Sequence, residues 1–361
     1  QAAGASGAAA DPREGWRDLA PQAPPSPSSG AEPSGCRVCC LHDRRAPRLY
    51  IRGQEGNGLG TNVHSLVYGM AIAAKYGMNF GGVVAVSASP SSHGVDVHRA
   101  MADLFGFTSY GDIFLKVAPR MDAHFADIQF LQSSMFAFDP ERARPGLRVM
   151  LEVSNLILGM DDESVRGWKQ EDYLTPRFMQ TLRSQATPQL GARLRRFYPD
   201  GLQAPLAVLH VRRGDVSETH EKSRMTPNAW YLRMIARIRR HWPEAEVHVF
   251  SSTEGRHSPS EFDEFRAANA TVHLDGDTLD DWAHFALAQV FVMAASSFSY
   301  APALLNTNCV VFQLFPPGRF GDWMYSPDES RRTYEQEFGE CIQRARRSFR
   351  RGEVPNSAAE P

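Results

Sequence analysis

The chain has 361 residues, of which 42% are apolar and 22% charged, with a net charge of −2. That length holds two domains with cores of their own, and the near-neutral balance excludes a general nucleic-acid binder. No apolar run approaches the roughly 20 residues that a membrane-crossing helix needs.

Residues 1–35 are Ala, Gly, Ser and Pro with hardly any large apolar side chain. Such a composition cannot offset the entropy of ordering, so a disordered or stem-like segment is expected over 1–46. The chain opens at Gln1 without a signal-type apolar run. The expectation is a cytoplasmic protein, or one whose targeting or anchor segment lies upstream. Cys36, Cys39, Cys40 and His42 crowd together in "GCRVCCLH". Their spacing is too tight for a two-knuckle zinc site, and a disulfide or free thiols are favoured.

An N-terminal α/β lobe is expected over 47–200. "PRLYI" reads as its first strand, "VHSLVYGMAIAAKYG" as a helix and "GGVVAVSA" as a strand. The Gly-rich loop between strand and helix holds Gly56, Asn57 and Gly58. "HRAMADLFGF" and "DIQFLQ" fit helix and strand equally. "LRVMLEV" reads as a strand, and Pro176 to Phe197 as a helix broken at Pro188. The turn cluster "YPDGLQAP" marks the boundary.

A C-terminal lobe is expected over 201–328, and a charged helix and tail over 329–361. In the second lobe the pattern is β-α-β-α-β-α-β-α-β, which predicts a doubly wound parallel sheet. Its first helix carries a predicted N-cap at Thr226 and Pro227 at the first helical position. "LHVRRGDV" places His210, Arg212, Arg213 and Asp215 at the C-terminal end of the lobe's first strand. Ligands bind at that edge of open α/β sheets. Ser296 and Ser297 follow the strand "VFVMAA" and open a helix at the same edge. Free backbone N–H groups there favour an anion. An arginine facing a helix N-terminus suits a diphosphate, and the chain has no G-x-x-x-x-G-K-[ST] loop. The bland alternative is a structural Arg212–Asp215 ion pair.

"HVRRGD" resembles the H-x-R-R-x-D motif of the GT-B fucosyltransferase superfamily, which includes α1,2-, α1,6- and protein-O-fucosyltransferases. "VFVMAASSFSY", with Phe298 after the serine pair, is similar to that superfamily's strand-Ser-Ser-helix segment. "GNGLGTN" partly resembles its N-terminal glycine loop, although the usual Gln is Asn62 or absent. The resemblance is strong over about 205–316 and implies two Rossmann-like lobes facing a central cleft. It further implies transfer of fucose from GDP-fucose to a glycan or glycoprotein hydroxyl, inverting and without a metal or other cofactor. Arg212 would stabilise the leaving diphosphate, and Arg213 would pack or orient the loop. His210 and Asp281 would contact the nucleotide, and Asp215 would hold the loop or an arginine. The base for the acceptor hydroxyl would come from Glu218, His220 or Glu221. The α1,6 enzymes place a glutamate where this chain has His220, which leaves base and acceptor open. Another nucleotide-sugar donor, or a silent nucleotide-sugar or glycan binder, is the alternative reading.

Asp275 and Asp277 mimic a D-x-D metal motif, but the surrounding pattern does not need one. Arg213 to Asp215 spell RGD, which continues directly from a strand and so is not on a free loop tip. A Golgi or secretory-pathway lumen suits the stem-like start, and Asn269-Ala270-Thr271 would then be a glycosylation acceptor.

Overall fold

The computed structural model describes residues 48–52, 58–75, 78–84, 96–106, 128–131, 148–151, 170–217, 219–220, 222–254, 256–315, 318–326 and 330–351. The expected stem, with Cys36, Cys39, Cys40 and His42, lies outside them.

The first part of the chain runs β1 (Arg48–Arg52), α1 (Leu59–Lys75), β2 (Asn79–Val84), α2 (Val97–Phe105), β3 (Ile128–Leu131), β4 (Arg148–Leu151) and α3 (Pro176–Leu194). The four strands form a parallel sheet in the order β2-β1-β4-β3. Val63, Leu66, Val67 and Met70 recur at helical spacing in α1 and are buried. They join Leu49 and Ile51 of β1 in one core. The ambiguous "HRAMADLFGF" segment is helical in α2. Asp96 caps that helix by accepting from the Arg99 amide, and Gly106 ends it in the left-handed region. "DIQFLQ" supplies β3.

Pro188 does not break α3, which continues unbroken to Leu194. Proline costs one internal hydrogen bond and a steric clash. Buried side chains on both sides of it, Phe178, Met179 and Leu182 before and Leu190 and Leu194 after, hold the two halves against one core.

The second part runs β5 (Leu206–His210), α4 (Asn228–His241), β6 (Glu246–Ser251), α5 (Asp263–Ala267), β7 (Thr271–Leu274), α6 (Thr278–Leu287), β8 (Val290–Val292), α7 (Ser297–Leu305), β9 (Cys309–Phe312), β10 (Met324–Tyr325) and α8 (Tyr334–Arg350). Its strands form a six-stranded sheet, all parallel, in the order β10-β9-β8-β5-β6-β7. Two parallel sheets flanked by helices make the GT-B-like α/β plan expected from the sequence. Thr226 is not the N-cap of α4. Pro227 occupies that position without a side-chain bond, and the Thr226 hydroxyl donates instead to Gln313 Oε1, 2.6 Å away. β10 has only two residues, too few for a sequence pattern to mark.

Strand alternation divides the second sheet between two cores. Leu206 and Val208 of β5 face the core shared with α1, α3, α6, α7 and the first sheet. Ala207 and Leu209 face a second core lined by α4 and α8. Cys309 of β9 lies on that second side and is disulfide-bonded to Cys341 of α8, 32 residues away in sequence. Closing a loop of that length in the unfolded chain is worth roughly 3–4 kcal/mol. The Cys341→Ala variant should therefore unfold at lower urea with a loss of that order. An unchanged urea midpoint against the oxidised parent would show that the bond does not staple α8.

Candidate functional site

β5 is followed by β6 and β7 on one side, and the chain then crosses to β8, β9 and β10 on the other. The strand order thus reverses between β5 and β8. A crevice opens outside the carboxyl ends of strands at such a point. Arg212 leaves the end of β5 there, and Ser296 leaves the end of β8 as the N-cap of α7.

The Arg212 guanidinium is clamped. Nε donates to Asp215 Oδ1 at 3.1 Å and Nη2 to Asp215 Oδ2 at 2.5 Å. Nη1 donates to Ser296 Oγ at 2.9 Å. Guanidinium carries five N–H donors. Three are engaged in these bonds, which leaves one hydrogen on each terminal nitrogen without a partner among the described residues. The structural ion pair and the anion-binding reading are therefore compatible. Asp215 fixes the plane of the fork, and the fork's end stays available.

Two helices begin at this point. Ser296 Oγ accepts from the Phe298 amide at 3.2 Å, capping α7. The N-terminus of α1 rests on the same turn. A Cβ at Gly60 would overlap the Phe298 amide nitrogen and the Ser297 carbonyl, so only glycine permits the approach. Thr61 Oγ1 and Ser297 Oγ lie 3.1 Å apart. Neither helix has an acidic residue in its first turn. The positive end of each helix thus has no acidic side chain of its own in its first turn to offset it. Gly58 sits just ahead of α1, and its carbonyl accepts from Asn62 Nδ2 at 3.1 Å. Gly56 and Asn57 lie outside the described residues.

The neighbouring arginine plays a different part. Arg213 is 3% exposed. It donates to the Arg212 carbonyl (2.7 Å), to the Thr226 carbonyl (3.2 Å) and to Asn228 Oδ1. It organises the connection from β5 to α4, and Gly214 supports the turn with a φ of 50°. His210 is buried, its ring against Phe285 and Phe298, with Nδ1 bonded to Ser299 Oγ. Burial, with Arg212 adding to it, pushes its pKa down to about 3, so the ring stays neutral. Phe298 is half-buried between His210 and Trp282.

His220 is exposed on a turn closed by Ser217 N donating to the His220 carbonyl at 2.7 Å. Glu218 and Glu221 lie outside the described residues. Asp275 and Asp277 have local duties. Asp275 accepts from Ser252 Oγ and from the amide and hydroxyl of Thr253. Asp277 caps α6 through the Leu279 and Asp280 amides.

Asp281 lies at the same sheet edge, in the first turn of α6. Its carboxyl makes no hydrogen bond among the described residues. Burial, and then the nearby Asp277, Asp280 and Asp275, push its pKa up to about 8. Sequence reasoning missed Thr61 and Ser299, because both act through partners more than 80 residues away or across a strand–helix turn. No local pattern marks such contacts.

No protein-family model matches the chain, and no curated protein matches it. Among solved structures, POFUT1 in complex with GDP is 11% identical, covering 73% of this chain and 95% of that one, with a TM-score of 0.39. E. coli ADP-heptose lps heptosyltransferase II is 12% identical, covering 82% of this chain and 98% of that one, with a TM-score of 0.39. E. coli heptosyltransferase WaaC with ADP-2-deoxy-2-fluoro heptose is 12% identical, covering 84% and 99%, with a TM-score of 0.38. Likeness this slight bears on neither the fold nor the activity of this chain.

The raised pKa of Asp281 sets a sign. The unfolded carboxyl ionises near 3.8 and the folded one near 8, so its contribution to stability is lost as pH rises between them. Asn mimics the neutral acid and has no such loss. Asp281→Asn should match the parent near pH 4 and exceed it at pH 8 by at least about 1 kcal/mol. Urea unfolding at the two pH values checks this, and an equal difference at both would refute it.

Proposed function

We propose that this chain is a glycosyltransferase that moves fucose from GDP-fucose to a hydroxyl of a glycan or glycoprotein, with inversion and without a metal. The observation that carries the reading is the Arg212 fork at the strand-order reversal, bonded to the N-cap of α7 and keeping two N–H groups without a partner among the described residues. Sugar transfer from a nucleoside diphosphate builds negative charge on the leaving β-phosphate. Preorganised donors at that point stabilise the transition state, and one good donor is worth about 3 kcal/mol. Arg212 would take two phosphate oxygens, with Asp215 and Ser296 holding its plane. The amides at the start of α7, with Ser297, would complete the cradle, and the Gly56–Asn57–Gly58 loop would cover it. His210, fixed as a neutral ring, would support Phe298 behind the donor.

Asp281 suits the base. Guanine presents N–H donors that a carboxylate accepts. Two such bonds favour the ionised form, so binding a guanine nucleotide near neutral pH would release a proton from Asp281. Proton abstraction from the acceptor would fall to Glu218, His220 or Glu221 beyond the motif. The Cys309–Cys341 bond supports an oxidising compartment such as the secretory-pathway lumen.

A thermal-shift panel of GDP, UDP, ADP and their sugars tests the donor. A ligand at 100 times its Kd adds about 2.7 kcal/mol of apparent stability. GDP and GDP-fucose should stabilise the protein, with or without EDTA, and GDP-fucose should turn over to GDP in the presence of acceptor. A shift by UDP or ADP alone would change the donor, and activity lost to EDTA and restored by Mn²⁺ would reinstate a metal.

The two arginines separate chemistry from architecture. Arg212→Lys keeps the charge but loses the planar fork. It should lower kcat on the order of a hundredfold while the fold survives. Arg213→Lys should act mainly on the unfolding midpoint, because that side chain is buried and bonds the Arg212 and Thr226 carbonyls and Asn228. Equal and small kinetic effects of both changes on folded protein would remove Arg212 from the chemistry.

A further inference from the structure

We propose that Asn269 is the acceptor of an N-linked glycan, and that this glycan covers the open edge of the second sheet. The segment reads Asn269-Ala270-Thr271, an N-x-T triplet with no proline at its centre. It forms the tight connection from α5 into β7. Asn269 has a φ of 56° and is exposed, Ala270 turns inward, and Thr271 is exposed at the start of β7. The turn is held through its backbone groups. The Asn269 amide donates to the Arg266 carbonyl at 2.8 Å, and the Ala270 amide to the Phe265 carbonyl at 3.0 Å. Arg239 grips the Ala268 and Asn269 carbonyls from α4. The side-chain amide of Asn269 and the hydroxyl of Thr271 make no hydrogen bond among the described residues, so a sugar on Asn269 displaces no contact.

The place in the fold gives the glycan a use. β7 is the last strand of the order β10-β9-β8-β5-β6-β7 and has no strand on its outer side among the described residues. An uncovered edge strand invites pairing with another chain. At the other end of the sheet, β10 is only two residues long, which blunts that edge. β7 has four residues, three of them only half-buried. A bulky, hydrated group two residues ahead of its start shields it. The attachment point is at the amino end of β7, about 13 Å of strand away from the edge that holds Arg212. The glycan therefore leaves the crevice open.

A second observation points to the right compartment. Cys309 and Cys341 are both buried and bonded to each other. Disulfides persist where proteins meet oxidising conditions, in the same luminal route that supplies N-linked oligosaccharide. In the transfer, Asn269 Nδ2 forms a bond to C1 of an oligosaccharide carried on a lipid diphosphate. The C1–O bond breaks, the diphosphate leaves with the electron pair, and the amide gives up one proton. Asparagine is also the residue other than glycine that most readily takes a positive φ. That preference explains Asn269 alone. It does not explain an exposed threonine two residues on.

The test uses the full chain carried into the secretory pathway of eukaryotic cells behind a signal peptide. Intact mass should exceed the polypeptide mass, and peptide N-glycosidase should restore it and leave aspartate at position 269. Asn269→Gly keeps the left-handed turn, and Thr271→Val keeps the branched strand residue. Both should fold and run at the polypeptide mass, whereas Thr271→Ser should keep the glycan. A secreted, disulfide-bonded parent at the polypeptide mass would overturn the site, as would a glycan that survives in Asn269→Gly. The enzymatically deglycosylated parent should scatter light sooner on concentration, and equal onset would overturn the edge role.

Discussion

The N-terminus of α1 rests on the N-terminus of α7, and nothing larger than a hydrogen fits between them at Gly60. Everything at the crevice depends on that contact. It brings the start of α1 and the turn after β8 to one point, although 236 residues separate Thr61 from Ser297. One turn further along, the His64 ring packs on Tyr300 with centroids 4.8 Å apart. Another turn on, the hydroxyls of Tyr68 and Tyr300 lie 2.9 and 2.7 Å from the same oxygen, Gln170 Oε1. Gln170 Nε2 reaches the Arg319 carbonyl at 2.5 Å. A buried polar group left without a partner costs about 1–3 kcal/mol. The knot around Gln170 is therefore specific as well as stabilising, since sliding α1 along α7 would orphan several such groups together.

Charge is distributed by the same logic of access. Arg212 keeps part of its fork open at the crevice, while Arg213 spends its donors on carbonyls and Asn228 inside. Burial disfavours the charged form of three histidines. His64 is pushed down to about 3, and the hydrogen-bonded pair His248 and His273 to about 4. Each binds protons more readily unfolded, near 6.5, than folded. Their contribution is complete above pH 6.5 and is lost as pH falls toward 4. Asp281 runs the opposite way. The domain thus combines groups that disfavour acid with one carboxyl that disfavours base, and the latter stands at the sheet edge used for ligands.

The second lobe was largely legible in the sequence because its signals are local. The apolar runs at Leu206–His210 and Val290–Val292, with Ser296 after the second, locate both strands and the helix N-terminus at the reversal. Position along a strand then places Arg212 past the carboxyl end of β5, where the structure has it. Pro188 and Thr226 misled for one reason: tertiary partners overrode a local preference. Core contacts carry α3 through the proline, and Gln313 takes the hydroxyl that would cap α4. The Gly60 contact, the Gln170 knot and the Cys309–Cys341 bond all join residues distant in sequence, and no spacing rule reveals them. Arg212 and Arg213 are the same residue type side by side. Residue type does not separate their roles; the resemblance alone singled out Arg212, and the burial of Arg213 comes from partners across the turn.

The shared core has a mechanical consequence. Leu49 and Ile51 of the first sheet belong to the same apolar body as Leu206, Val208 and Phe291 of the second, with α1, α3, α6 and α7 between them. Swinging one sheet away from the other as a rigid plate would expose that seam at about 25 cal/mol for every Å² wetted. A seam of a few hundred Å² would cost several kcal/mol at each opening. The two sheets therefore act as a single stiff frame.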